Sequence, residues 1–310
     1  VIYFTAVQTG VSTSEYMAFN LAYGMATGAF MSLAGVAGNF ASIKPHLDMA
    51  APIMKSVPES AGGKQVLEHC SGRIEMDNVT FRYAEGAPAV LDDLSLKIRP
   101  GQSVGVVGKT GCGKSTLMRL LLGFEKPQKG AVLYDGRDIE TLDVASLRRN
   151  IGTVLQDGKL FTGDIFSNIV VAAPWLTMED AWEAAELAGI ADDIRAMPMG
   201  MNTMVSEGAG GISGGQRQRI LIARAVAPKP KVLFFDEATS ALDNVTQRQV
   251  SEALDRMKCT RIIVAHRLST IRACDRIIVL DGGRVVEDGT YEELCALGGV
   301  FAELVERQTM

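Results

Sequence analysis

The chain contains Gly108-Lys109-Thr110-Gly111-Cys112-Gly113-Lys114-Ser115-Thr116, which fits the pattern G-x-x-x-x-G-K-[ST]. The apolar residues 104–107 before it predict a buried strand, and residues 117–122 after it predict a helix. In that context the glycines let successive N–H groups turn toward a phosphate, and the helix N-terminus adds partial positive charge. We therefore expect Lys114 to neutralise the outer phosphates of a nucleotide and Ser115 to ligate Mg²⁺.

Two further apolar segments end in side chains that suit phosphate chemistry. Residues 231–237 predict a strand that ends in Asp236 and Glu237, and residues 261–266 predict a strand that ends in His266. Ligands of open α/β sheets lie at the carboxyl ends of strands. The first carboxylate can hold Mg²⁺ and the second can activate an attacking water. A histidine in isolation is more often structural, but its position here favours a functional role.

A third segment, residues 212–216, places a serine and two glycines before a helix that we predict over residues 218–226. Taken together, in the order in which they occur along the chain, these segments resemble the nucleotide-binding domain of ATP-binding-cassette (ABC) transporters, over about residues 73–308. The resemblance implies an α/β P-loop NTPase fold of ABC type, with a RecA-like core, an antiparallel β subdomain and a helical subdomain.

The same resemblance implies the residues that act on ATP. It assigns Tyr83 to stacking on adenine, and Gln156 to sensing the γ-phosphate and the metal. Glu237 would be the catalytic base and His266 would steady the γ-phosphate. The implied nucleotide-binding residues are Tyr83, Gly108, Lys109, Thr110, Gly111, Cys112, Gly113, Lys114, Ser115 and Thr116. The implied Mg²⁺ ligands are Ser115, Gln156 and Asp236.

The resemblance also implies a partner, either a second copy of the chain or a related half-transporter. The signature residues that would meet the opposite subunit's ATP are Ser213, Gly214, Gly215 and Gln216. Asp243 belongs to the loop that would cross to the partner. Two departures from the family pattern are visible, Ile212 where leucine is usual and Ser206 where glycine is usual. Both lie beside the phosphate contacts, so we expect hydrolysis to be retained.

The composition argues against a nucleic-acid-binding protein and against a metal site formed by cysteines. A charged fraction of 22% and a net charge of −5, with no lysine or arginine run, argue against a nucleic-acid partner. The five cysteines are scattered without the spacing of metal ligands. Cys112 lies inside the phosphate loop, which suits a reducing cytosol and predicts an alkylation target.

The N-terminal segment predicts a membrane span. Glu15 is the only acidic or basic residue in residues 1–43, and a helix of about 20 residues suffices to cross a bilayer. Gly24 and Gly28 are small residues that let helices approach closely in lipid. The alternative is a core helix of a soluble protein, which the polar Asn20 and Thr27 keep open.

These patterns predict two domains joined by a linker. Residues 1–57 would be the end of a transmembrane domain, with a span over about 16–40 and a cytosolic helix extension that Pro45 kinks. Residues 58–72 would be a linker and residues 73–310 the ABC domain. Because the chain begins with valine, we expect it to be the C-terminal part of a longer polypeptide, truncated within its membrane domain.

Local patterns predict further elements of the ABC domain. Apolar residues alternate in residues 94–98, which indicates a half-buried antiparallel strand. Residues 177–180 resemble a capping box that opens a helix through Ala188. Residues 276–280 and 284–287 predict a closing hairpin.

A membrane span on the N-terminal side of the ATPase resembles the exporter type of ABC transporter. The phrases in residues 15–20 and 151–165 are similar to bacterial exporters of bacteriocin-type peptides. The resemblance implies ATP and Mg²⁺ as cofactors, contact with membrane lipid and a peptide cargo. It also implies a multi-pass protein of the plasma membrane with its ABC domain in the cytoplasm. Alternatives are an exporter of lipid or small hydrophobic molecules, a soluble ABC ATPase that moves no solute, and a P-loop phosphotransferase.

Overall fold

The computed structural model describes residues 10–56, 63–155, 157–205, 211–236, 244–265 and 268–309. The chain divides into two compact units, Val1–Pro58 and Glu59–Met310. The described part of the first unit is one helix with its cap. The described part of the second unit holds the sheets and the remaining helices.

The helix of the first unit, α1 (Thr13–Lys55), contains 43 residues and is therefore about 64 Å long at 1.5 Å per residue. Ser12 caps it: its hydroxyl accepts the N–H of Glu15, and the Glu15 carboxylate accepts the N–H of Ser12. The helix continues through Pro45 and Pro52, and its large apolar side chains are exposed. By length and composition, α1 is able to cross a membrane.

An antiparallel sheet opens the second unit. Its strands are β1 (Ile74–Phe81), β2 (Leu91–Ile98), β4 (Lys129–Tyr134) and β5 (Arg137–Asp138), in the order β2-β1-β4-β5. The predicted alternation is confirmed in β2, where Leu94, Leu96 and Ile98 are buried while Ser95 and Lys97 are exposed. One face of β2 therefore packs on the core and the other faces solvent.

A mixed sheet forms the centre of the unit. Its strands are β3 (Ser103–Gly108), β6 (Ile151–Val154), β9 (Val232–Asp236), β10 (Thr260–Val264), β11 (Arg276–Asp281) and β12 (Arg284–Gly289). The order is β12-β11-β3-β10-β9-β6, and every neighbouring pair is parallel except β11 and β12. The predicted closing hairpin is thus confirmed as the antiparallel edge. Val106 and Phe234 of this sheet share one core with Ile74 and Leu94 of the first.

The helices surround these sheets. They are α2 (Lys114–Leu121), α3 (Val144–Arg148), α4 (Ile165–Val170), α5 (Met178–Leu187), α6 (Ala191–Ala196), α7 (Gly214–Val226), α8 (Asn244–Arg256), α9 (Leu268–Arg272), α10 (Tyr291–Leu297) and α11 (Val300–Thr309). A short pair of strands, β7 (Gly163–Asp164) and β8 (Met204–Val205), lies among them. Helices α4, α5, α6 and α7 share a second core, which includes Ala184, Ile194 and Ile220. This group is the predicted helical subdomain.

Three predicted helix starts can be compared with the structure. Helix α5 begins directly after Thr177, and the predicted capping box of Thr177 and Asp180 is confirmed. Helix α2 begins at Lys114 instead of residue 117. Helix α7 begins at Gly214 instead of Gln218, because Ser213 caps it. Glycine disfavours helix interiors, so the apolar pattern alone placed the start of α7 too late.

The predicted linker covers residues 58–72, and its described part, residues 63–72, packs within the second unit. The N–H of Asp143 donates to the carbonyl of Gln65 (2.8 Å), and the N–H of Leu67 donates to the hydroxyl of Ser146 (2.9 Å). The side chain of Leu67 is buried. The described end of this segment is therefore attached to α3 and the loop before it.

Candidate nucleotide-binding site

The phosphate-binding pattern forms the loop between β3 and α2. Gly108, Gly111 and Gly113 adopt φ angles of 152°, 81° and 106°, which favour glycine. Lys114 is 8% exposed, and its ammonium donates to the carbonyls of Gly108 (2.7 Å) and Lys109 (3.1 Å). Among the described residues, no side chain caps α2. The amide groups of its first turn therefore suit an anion.

Both sheets hold this loop in place. A Cβ atom on Gly108 would lie 2.2 Å from the carbonyl oxygen of Leu280, in β11. A Cβ atom on Gly113 would lie 2.7 Å from the Cδ2 atom of Leu91, the first residue of β2. These close approaches require glycine and fix the path of the loop.

We expect Gly108→Ala to lower the free energy of unfolding by about 1–3 kcal/mol more than Gly111→Ala, the usual cost of overpacking. Both positions have positive φ, so both substitutions add backbone strain. Within the described parts of the chain, a Cβ atom on Gly111 would meet nothing within 4 Å. Urea unfolding followed by circular dichroism measures the difference. Equal losses would show that the approach to Leu280 does not constrain the loop.

Tyr83, two residues after β1, lies beside the start of α2. Its hydroxyl is 3.1 Å from the hydroxyl of Thr116, and its ring packs edge-on against Phe81 with 4.9 Å between centroids. The residue is 53% exposed, so part of the ring is open to solvent. An anchored, open ring next to the phosphate loop is suited to stacking on a base.

The predicted acidic strand ends at the same edge of the sheet as the phosphate loop. Val264 of β10 lies opposite both Val106 of β3 and Asp236 of β9. Val154 of β6 lies opposite Phe235. Because adjacent strands are about 4.8 Å apart, the backbones of Val106 and Asp236 are about 10 Å apart.

Four predicted site residues, Gln156, Glu237, Asp243 and His266, lie outside the described residues. In sequence, the first two and the last follow β6, β9 and β10, which all end at this edge. Their roles remain predictions.

The predicted signature element begins α7, a helix of 13 residues. The Ser213 hydroxyl accepts the N–H of Gln216 (3.1 Å), and the Gln216 side-chain oxygen accepts the N–H of Ser213 (2.9 Å). Ser213 and Gly214 are exposed, and Gly215 is half-buried. The two glycines thus lie at the N-terminus of a long helix, where a second anion can be met from outside.

Comparisons with known proteins fit this geometry. A family profile described as ABC transporter matches residues 91–240, which include the phosphate loop, the signature element and Asp236. The solved structure of a bacterial Atm1-family ABC exporter with ATP bound matches with a TM-score of 0.81 and 37% sequence identity, covering 86% of this chain and 47% of that one. This chain carries an ABC transporter ATPase domain.

Curated relatives extend the likeness beyond the ABC domain. The cyclolysin secretion/processing ATP-binding protein CyaB of Bordetella pertussis is 43% identical over 298 residues, 95% of this chain and 42% of CyaB. The alpha-hemolysin translocation ATP-binding protein HlyB of Escherichia coli O157:H7 is 42% identical over 286 residues, 92% of this chain and 40% of HlyB. The chain therefore spans about two fifths of the length of these relatives.

The ABC domain offers oxygen ligands that fit Mg²⁺. Ser115 is exposed in the first turn of α2, and the Asp236 carboxylate is half-buried at the end of β9. Mg²⁺ is usually bound by one or two protein oxygens together with substrate phosphates and water. This donor set therefore suits a metal that arrives with its nucleotide.

Sequence reasoning missed two residues that hold the signature element of the ABC domain. Asp193 of α6 accepts hydrogen bonds from the side-chain amide of Gln216 (2.8 Å) and from Arg219 (2.8 Å). Burial raises the pKa of Asp193, but these two hydrogen bonds outweigh it and the pKa lies below its ordinary value. The spacing of three between Gln216 and Arg219 indicates a shared face of α7. Nothing in the sequence indicates that Asp193 faces it.

Proposed function

We propose that the full-length protein is an exporter, driven by ATP hydrolysis at two composite sites of a head-to-tail dimer. The observation that carries this proposal is the presence, in one chain, of the apolar helix α1 and an ABC domain with an exposed signature element. An exposed element can meet ATP that a second copy holds in its phosphate loop. A two-fold pair of identical chains makes two such sites.

The properties of α1 support insertion in a membrane. A hydrocarbon core is about 30 Å thick and takes about 20 helical residues, so α1 is long enough to cross it and to extend into the cytosol. Two polar side chains within the span are satisfied by their own helix. Asn20 donates to the carbonyl of Tyr16 (3.0 Å), and Thr27 donates to that of Tyr23 (2.8 Å). These bonds lower the cost of placing them in lipid. We assign the span to about residues 16–40, in the plasma membrane, with the ABC domain in the cytoplasm.

Within each chain, the loop and its neighbours would bind the nucleotide. Tyr83 stacks on adenine, and the amide groups of the phosphate loop surround the phosphates. Lys114 adds a full positive charge. Ser115, Asp236 and Gln156 would hold Mg²⁺, which would neutralise part of the phosphate charge.

Hydrolysis would need residues from both chains. Glu237 takes the proton from the attacking water, while His266 steadies the γ-phosphate. The partner's Ser213 and its two glycines contact the same phosphate, and Asp243 lies in the loop that crosses between the chains. Loss of the γ-phosphate removes the charge that joins the chains, so the dimer opens.

The relatives' names suggest a class of cargo. CyaB is named for cyclolysin secretion and HlyB for alpha-hemolysin translocation. The toxin RTX-I translocation ATP-binding protein of Actinobacillus pleuropneumoniae is 42% identical over 289 residues, 92% of this chain and 41% of that protein. We therefore propose a secreted polypeptide as cargo. The bacteriocin-type peptide predicted from the sequence is a narrower form of this proposal.

The rate of ATP hydrolysis as a function of chain concentration, measured in detergent, tests this function. A dimeric site predicts a rate that rises more steeply than the concentration at low concentration. A rate strictly proportional to concentration, from a monomer, would favour a P-loop phosphotransferase. Flotation with lipid vesicles tests the membrane assignment in parallel, and a chain that stays in the aqueous layer would favour a soluble ABC ATPase.

A further inference from the structure

Arg224 of α7 binds the segment that follows Gln156. Its Nε atom donates to the carbonyl of Asn168 (2.7 Å), and its two terminal nitrogens donate to the Asn168 side-chain oxygen (2.8 Å) and to the carbonyl of Lys159 (3.1 Å). Its guanidinium lies 5.0 Å from the centre of the Phe161 ring, a cation–π distance. The side chain of Arg224 thus contacts Lys159 and Phe161 in this segment and Asn168 in α4.

Asn168 closes the same segment from within α4. It is 1% exposed. Its side-chain oxygen accepts the N–H of Phe161 (2.8 Å), and its amide nitrogen donates to the carbonyls of Phe161 (2.9 Å) and Asp164 (2.9 Å). Asn168 therefore fixes the loop to α4, and Arg224 fixes both to α7. We name Arg224, Asn168 and residues 159–164 the arginine knot.

We propose that Arg224 and Asn168 are positioning residues that couple the two ATP sites of the dimer. The inference rests on the proposed function, in which Gln156 senses ATP bound by its own chain and the signature element meets the partner's ATP. The loop of the knot begins three residues after Gln156, and α7 begins at the signature element. A movement of the loop is therefore carried along a rigid helix to the other site.

The contacts of the arginine knot require an arginine side chain at position 224. The guanidinium is partly buried, and burial lowers the pKa of Arg224. It nevertheless remains charged, since arginine is always protonated in proteins. Its planar set of donors reaches three acceptors and the face of Phe161 at once, whereas a lysine ammonium is a point charge on a flexible stem. Lysine at this position would keep the charge and lose most of the geometry.

The test compares Arg224→Lys with Arg195→Lys in the purified chain in detergent. Arg195 is a matched control, since it also pairs with side chains, Glu186 and Asp192, and lies over an aromatic ring, that of Trp182. For Arg224→Lys we expect ATP cooperativity to be lost, because the two sites are no longer coupled. We also expect kcat to fall about tenfold, because a small misplacement of catalytic groups lowers the rate. Binding of a fluorescent ATP analogue to the monomer, measured at low chain concentration, should be unchanged in both variants.

The outcomes separate the possible explanations. An Arg224→Lys chain that hydrolyses ATP as cooperatively as Arg195→Lys would overturn the positioning role and leave the proposed function intact. Activity lost only in proportion to unfolded protein, measured by thermal denaturation, would also overturn it, because the role would be structural. An unsubstituted chain that hydrolyses no ATP would refute the proposed function, and the positioning role with it.

A double-mutant cycle tests the pair itself. Since Arg224 and Asn168 act through one set of hydrogen bonds, the loss of cooperativity in Arg224→Lys and Asn168→Ala should not add in the double variant. Additive losses would show that the two residues act separately and would overturn the proposed pair.

Discussion

Glu237→Gln is expected to bind ATP, dimerise and stall, with turnover lowered about 10²-fold or more, the scale of a positioned general base. Glutamine keeps the size of the side chain and can orient water, but it cannot accept a proton. Glu237 directly follows Asp236, whose strand ends at the same sheet edge as the phosphate loop. Phosphate release measures turnover, and retention of radiolabelled ATP on a filter distinguishes stalling from lost binding.

A glutamine at an exposed glutamate elsewhere supplies the control. Glu292 lies in the first turn of α10 and is exposed, so Glu292→Gln should hydrolyse ATP at the unsubstituted rate. Unchanged turnover in Glu237→Gln would show that Glu237 is not the catalytic base.

Lys114→Ala is expected to weaken ATP binding itself. A hydrogen bond to a charged group contributes about 1.5–3 kcal/mol, which corresponds to roughly a ten- to hundredfold rise in Kd. The Lys114 ammonium lies within the loop, on the carbonyls of Gly108 and Lys109, where it can move to the outer phosphates. Isothermal titration calorimetry with ATP measures the change.

Lys109→Ala is the matched control, because it removes the same charge from the same loop. Lys109 is among the implied nucleotide-binding residues as part of the loop backbone, and alanine keeps both its N–H and the carbonyl that accepts a hydrogen bond from the Lys114 ammonium. Only its exposed side chain is removed. We expect its Kd to stay close to that of the unsubstituted chain. Equal weakening in both variants would indicate that total charge, and not the position of Lys114, determines ATP binding.

Local patterns predicted much of the fold. The strand before the phosphate loop, the alternating strand β2 and the closing hairpin each depend on neighbouring residues in the sequence, and each is present. The capping box of Thr177 and Asp180 is also local, which is why it could be read directly. The start of α7 was wrong by four residues, since the contribution of Ser213 outweighs the low helix propensity of the glycines.

Contacts between distant segments could not be predicted. Asp193 meets Arg219 across 26 residues, and Asn168 meets Arg224 across 56. No periodicity connects such pairs, because they depend on how α4, α6 and α7 pack. The attachment of Gln65 beside Asp143 is of the same kind, as it pairs a segment without periodic pattern with a distant loop. In the candidate site, the sequence could identify the strands but not their order in the sheet, which places Asp236 of β9 two strands from the phosphate loop after β3.

The central claim is that ATP joins the phosphate loop of one chain to the signature element of another. The molar mass of Glu237→Gln in detergent, measured by light scattering with and without ATP, tests it most directly. We expect the protein mass to double with ATP. A second variant, Glu237→Gln with Gly214→Arg, should bind ATP and remain monomeric, because the arginine occupies the exposed start of α7. A mass that ATP does not change, or a Gly214→Arg variant that dimerises equally well, would contradict the account.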